Sequence, residues 1–175
     1  MKVFGGNLYV HYGQAYVDAS TGNGSDLKAS FHGQSNGLCG AAIRGNLFLI
    51  TGLHTGHVRL TVSITETEPP VNDEWEDIVK VPYATDGKST FIRDWNGKKV
   101  CDVPLVGTTF RVRYCAKSMD EGREADTIVD EEPIDSYALI FWPDSEKSNS
   151  EKPDKVIKQS SKIADHWHNW VRKLT

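Results

Sequence analysis

A chain of 175 residues with 38 % hydrophobic and 25 % charged positions and five tryptophans has the size and make-up of one globular domain, able to bury a core without disulfide or metal staples. A formal net charge of -4 supplies no basic face to displace counterions from phosphates, which disfavours nucleic acid as a partner. No apolar run approaches a membrane span and the start, Met1 to Gly6, lacks a signal peptide's apolar stretch, so a cytoplasmic protein is expected.

In chain order, Asn7 to Val17 and Leu27 to Phe31 read as weak strands on either side of a flexible loop, Thr21 to Ser25. Leu38 to Ile43 and Asn46 to Thr51 follow, joined at the hairpin signal Arg44-Gly45-Asn46. The clearest strand is His57 to Thr65: Val58, Leu60, Val62 and Ile64 point one way, and Arg59, Thr61, Ser63 and Thr65 the other. Val79, Val81 and Tyr83 alternate with Lys80 and Pro82, and the proline, with no backbone donor, places this strand at a sheet margin. The tight-turn dipeptides Asp86-Gly87 and Asn96-Gly97 bracket Ser89 to Trp95, before a short strand Val100 to Val103.

Gly107 to Lys117 again alternates, Phe110, Val112, Tyr114 and Ala116 against Thr109, Arg111, Arg113 and Cys115, which predicts one solvated face. Tyr137 to Trp142 is the last strand. Beyond it, 144–152 is a polar linker, and from Pro153 the residues Val156, Ser160, Ile163, Trp167, Trp170 and Leu174 recur at helical spacing. The reading is a mainly β protein: an antiparallel two-sheet sandwich over 1–143, a linker, and one amphipathic helix over 153–175 docked on it or swapped with another copy, in one domain.

Three cysteines, Cys39, Cys101 and Cys115, at wide spacing and without a CxxC pair, read as reduced thiols, Cys39 and Cys115 as core filling. Leu53-His54-Thr55-Gly56-His57 puts two imidazoles three residues apart. A metal would need a third ligand, from His32 or from His166 and His168, and the expectation is that these histidines serve structure, with no metal or cofactor. The glycine- and amide-rich Phe31 to Gly40 segment lacks the phosphate-loop pattern; it offers His32 and Cys39 as a base and nucleophile only if the fold joins them.

The strongest charge asymmetry is acidic: Asp120, Glu121, Glu124, Asp126, Asp130, Glu131, Glu132 and Asp135 against Arg123 alone. Its plain reading is a solvated loop and its functional one a docking surface for a basic partner, with Asp120 to Glu132 as the candidate contacts. The calcium-loop order DxDxDG is absent. Glu66, Glu68, Asp73, Glu74, Glu76 and Asp77, around Pro69-Pro70 and Trp75, form a second acidic group read as a solvated connection.

Tyr9-Val10-His11-Tyr12, the Val58 to Ile64 strand, Trp75-Glu76-Asp77 leading into Val79-Lys80-Val81-Pro82-Tyr83, and the Gly107 to Tyr114 strand together resemble the ComJ-type competence-associated nuclease-inhibitor family over about residues 7 to 117. FHGQSNGLCGA, TGLHTGHV, YCAKSMDE, LIFWP and DHWHNW also resemble bacterial proteins of unassigned function. The first likeness implies a non-enzymatic inhibitor or immunity protein acting on a basic nuclease or other toxin, with no inhibitory residue transferred by motif. Two other readings stay open: a metal-dependent enzyme or sensor using His54 and His57, and a ligand- or carbohydrate-binding sandwich with Trp95 and Trp142 exposed.

Overall fold

A computed structural model describes residues 1–19, 26–85, 87–145 and 154–174. The larger sheet runs β1 (Lys2–Val10), β5 (Thr55–Ile64), β11 (Ser136–Pro143), β9 (Thr109–Lys117), β6 (Asp77–Ala84) and β12 (Lys155–Lys158), with β10 (Thr127–Ile128) also on β5. The smaller runs β3 (Cys39–Gly40), β4 (Asn46–Ile50), β2 (Gln14–Asp18), β7 (Thr90–Arg93) and β8 (Lys99–Val103). The chain is thus mostly β, two sheets over one continuous core with a C-terminal helix. Pairing is antiparallel except where β5 meets β10 and β11.

The alternation of β5 is realised, with Val58, Leu60 and Val62 fully buried. Asn7 to Val17 is two strands, because Tyr12 (φ 54°) and Gly13 (φ 62°) form a two-residue turn closed by Gln14 N–H donating to the His11 carbonyl. Positive φ at both central residues is the hairpin geometry that matches strand twist. The arms then part, β1 to the larger sheet and β2 to the smaller.

Leu27–Phe31 is a short helix, α1, where a strand was expected. Leu, Ala and Phe at positions 27, 29 and 31 fit period two, yet Leu27 and Phe31 also lie four apart on one helical face, and Asp26 decides by accepting from Ala29 N at 2.7 Å. The Thr21 to Ser25 loop and Asp86 lie outside the described residues. β6 is not marginal, because β12 covers its flank from Ile78 to Lys80; Pro82 falls past the end of β12 and so has no strand there to bond.

The outer face of β9 is buried at Arg113 and Cys115, contrary to expectation, while Thr109 stays exposed and Arg111 half-buried. Arg113 is 2 % exposed, donating to the Pro69 and Pro70 carbonyls at 2.9 and 3.2 Å and to Glu68 at 3.0 Å, with its guanidinium over the Trp142 ring. Cys115 packs outside with Ile78 and Ala138 against Trp75 and Ile157. The second acidic segment is therefore a cover strapped to the sheet by Arg113.

The C-terminal part also departs from the reading of one helix from Pro153. Lys155–Lys158 is strand β12, while α3 spans Lys162–Arg172 with Ser161 as its cap, accepting from Ala164 N at 3.0 Å. Pro153 and most of the 144–152 linker lie outside the described residues. The buried face of α3 is Ala164, His168 and Val171, flanked by Ile163, Trp167, Trp170 and Leu174, and it packs on its own chain.

The Phe31 to Gly40 segment clasps this helix. Asp154 accepts from Ser35 N, Asn36 N and Asn36 Nδ2 at 2.7–2.9 Å, and Gly37 N donates to His168 Nδ1 at 2.8 Å. Burial, reinforced by the nearby Arg172 charge, holds His168 below the usual imidazole range despite Asp77, Asp165 and Asp154. The unfolded chain takes up this proton near about pH 6.5 whereas the folded one resists it, so the neutral ring's contribution is complete above that pH and declines below it. The difference in unfolding free energy between the parent and His168→Asn, which keeps an acceptor for Gly37, should grow in the parent's favour as pH rises from 5 to 7.5, and a pH-independent difference would count against that contribution.

Candidate functional site

The β1–β2 turn places Tyr12 at one end of the sandwich, 59 % exposed. Gly13 N donates to the His54 carbonyl and Thr51 N to the Gly13 carbonyl, both at 2.9 Å, which fixes the turn against the 51–54 segment. Tyr12 thereby meets His11 at 4.1 Å between ring centroids, His54 at 5.2 Å and Trp95 at 5.8 Å, and His11 lies 4.6 Å from Trp95 and 5.6 Å from His54. Four rings from three separate segments converge here.

Thr55 sits beneath them. Its Oγ1 is 2.9 Å from His11 Nδ1 and 2.7 Å from His54 Nδ1. A hydroxyl has one proton and two lone pairs, so at most one of the rings can accept from it and at least one donates to it from Nδ1. In the Nδ1–H tautomer, the ring that donates to Thr55 carries its lone pair on Nε2.

The 51–54 segment is itself anchored from below. Gly52 N donates to Tyr137 Oη at 2.7 Å, and Tyr137 Oη and Leu53 N donate to Asp135 Oδ2 at 2.5 and 3.0 Å. Burial pushes the Asp135 carboxyl up, against the bonds from Tyr137 and Leu53 that favour its charge. Asp135 thus supports the site from the core.

The acidic segment divides. Asp120, on the seven-residue helix α2 (Met119–Ala125), turns to α3 and accepts from Lys162 N and Ile163 N at 3.0 Å, a carboxylate at a helix N-terminus. Glu121 and Glu124 are exposed on α2. The rest runs along β5: His54 N and Thr55 N donate to the Asp126 carbonyl, His57 Nδ1 meets the Val129 carbonyl at 2.9 Å, and Arg59 pairs with Glu132 at 2.8 Å. Asp126, Asp130, Glu131 and Glu132 are all exposed, with Val129 and Ile134 as exposed apolar neighbours. Gly56 (φ 120°) permits this approach, since a Cβ there would overlap the Ile128 carbonyl.

His54 and His57 do not share a centre: His54 faces His11 and Tyr12, and His57 faces Tyr9 and Val129. His32 and His166 are exposed elsewhere and His168 lies on the buried face of α3. Among the described residues no three His, Cys, Asp or Glu side chains cluster as a metal would need. Cys39 is fully buried and burial drives its thiol far up, so it offers no thiolate to His32. Trp142 is buried beneath Arg113, and of the two aromatics expected to line a carbohydrate site only Trp95 lies at the surface cluster.

Sequence reasoning missed His11 and Tyr12, which it absorbed into a strand. The available signal was Gly13, a break in an alternating run. No described helix is long and apolar enough to cross a membrane.

No family model matches the chain, nor does the sequence of any curated protein. Solved structures do. ComJ from Bacillus subtilis, inhibitor of the DNA-degrading activity of NucA, is 14 % identical, with 82 % of this chain and 98 % of that one covered at a TM-score of 0.54. The product of crocagin biosynthetic gene J is 12 % identical, with 82 % and 97 % covered at 0.52. The strand layout that resembles the ComJ type in sequence is therefore matched in three dimensions, and this chain is similar in fold to a nuclease inhibitor and to a biosynthesis protein.

Proposed function

We propose that this chain is a non-enzymatic binding protein that inhibits a basic nuclease or another toxin made beside it. The observation that carries the reading is the juxtaposition at one end of the sandwich: an aromatic cluster with Tyr12 exposed and His11, His54 and Trp95 half-buried and, hydrogen-bonded to its base, a run of exposed carboxylates from Asp126 to Glu132. Aromatic anchors supply the energy of protein interfaces, and a charged border steers encounter with a partner of opposite sign. The likeness of fold to an inhibitor of a nuclease supports the choice of partner.

The test is titration of the purified chain into the nuclease or toxin encoded by the adjacent gene, read as residual activity. Failure to neutralise or bind any such neighbour overturns the proposal. If it binds, replacing Asp130 and Glu131 by lysine should slow association by about tenfold or more at low salt, with the gap closing as ionic strength rises. Stopped-flow association at two salt concentrations measures both effects.

A further inference from the structure

We infer that the ring cluster at the β1–β2 turn is the anchoring pocket of that surface and that its occupant is an arginine side chain of the protein partner. The inference rests on the inhibitor reading for the partner, but its geometry stands alone.

Tyr12 is the first indication. Residues with φ near +54° are glycine or asparagine by preference, and a bulky aromatic there is strained. The ring is 59 % exposed, so burial repays little of it. Such strain concentrates at binding sites, and here it holds an aromatic face outward beside Trp95 and two imidazoles.

The chemistry around the rings selects a cation. Of the basic residues in the adjoining segments, Arg59 is paired with Glu132, Arg93 with Asp18 and Lys99 with Asp102, leaving Lys98 and Arg123 against Glu121, Glu124, Asp126, Asp130 and Glu131. The field at this end is negative, which disfavours phosphate and favours a positive group over the faces of Tyr12 and Trp95. Arginine fits better than lysine. Its planar guanidinium stacks on aromatic faces, sheds water readily, and points a fork of N–H donors outward. The Thr55 relay leaves one imidazole Nε2 as a lone-pair acceptor for such a donor, and no hydrogen bond to Nε2 of His11 or His54 occurs among the described residues.

The test uses two probes on the full chain. The first is the capped peptide acetyl-Gly-Arg-Gly-amide, titrated while following the Trp95 indole and His11 and His54 ring signals by NMR, against the same peptide with citrulline, which keeps the shape and loses the charge. Saturable shifts with the arginine peptide, at least about tenfold weaker with citrulline, are expected. Equal response to both peptides, or none to either, overturns the inference.

The informative variant is Tyr12→Asn. Asparagine suits the turn, so its melting temperature should equal or exceed that of the parent, while the arginine peptide response should vanish. The second probe is the nuclease encoded by the adjacent gene. Tyr12→Asn and Trp95→Ala should each weaken its binding by about thirtyfold or more, the scale of an interface anchor, and Val106→Ala, at a 92 % exposed position in the β8–β9 connection, should not. A nuclease bound equally by parent and Tyr12→Asn sinks the arginine pocket and leaves the inhibitor reading intact. A peptide response without any nuclease binding does the reverse.

Discussion

Gly56→Ala should lower the unfolding free energy by about 4 kcal/mol, combining an unfavourable left-side backbone with overpacking against a neighbouring strand. Gly56 has φ 120°, and a methyl group there would overlap the Ile128 carbonyl. Neither obstacle is a mobile side chain. The two backbones would have to separate at the pairing of Thr127 and Ile128 with Thr55 and Gly56, and the bonds from His54 N and Thr55 N to the Asp126 carbonyl would be strained with it. The carboxylates from Asp126 to Glu132 would then leave their place beside His54 and His57. Denaturant unfolding measures the energy, and amide exchange across 126–135 reports whether the segment comes away. Stability within 1 kcal/mol of the parent would show that the contact is not the constraint described.

Asp77→Ala should cost about 3 kcal/mol, because it strips the acceptor from two backbone donors that fold into the protein. Asp77 is fully buried, and its Oδ1 accepts from Ser160 N at 2.7 Å and Ser161 N at 3.2 Å. Ser161 is the cap of α3, so this carboxylate on β6 sets where the helix begins. Asp120 acts at the same end through Lys162 and Ile163. Asp77→Asn keeps an oxygen in place and should recover more than half of the loss in thermal unfolding. Equal losses for both substitutions would point to charge, not bond acceptance, as the contribution.

Both residues show what local reading reaches and where it stops. The period-two pattern of His57 to Thr65 was sufficient for β5, because a strand with one core face must alternate. In β9 the same pattern correctly gave a strand and wrongly gave a wet face for Arg113 and Cys115, since the cover, Glu68 to Trp75, comes from a different part of the chain. The acidic segments read as solvated because charge runs usually are. Asp77, Asp120 and Asp135 had already been drawn inward as acceptors for backbone and hydroxyl donors that only the folded chain brings near.

The candidate site follows the same division. His54, His57 and the Asp126 to Glu132 carboxylates were legible as residues with chemistry, and Trp95 as an aromatic that a ligand site would expose. His11 and Tyr12 were hidden inside an apparent strand. What joined them was a turn at Tyr12 and Gly13, the splitting of two strands between two sheets, and one threonine between two imidazoles.

By itself the sequence determined the β class, most strands, the hairpin at Asn96-Gly97 and a tryptophan-bearing helix at the end, because periodicity and turn chemistry are local properties of the backbone. Tertiary structure alone decided where that helix starts, which acids are buried, and which rings meet. Those depend on contacts between segments far apart in the chain, as when Asp77 meets Ser161 across 84 positions.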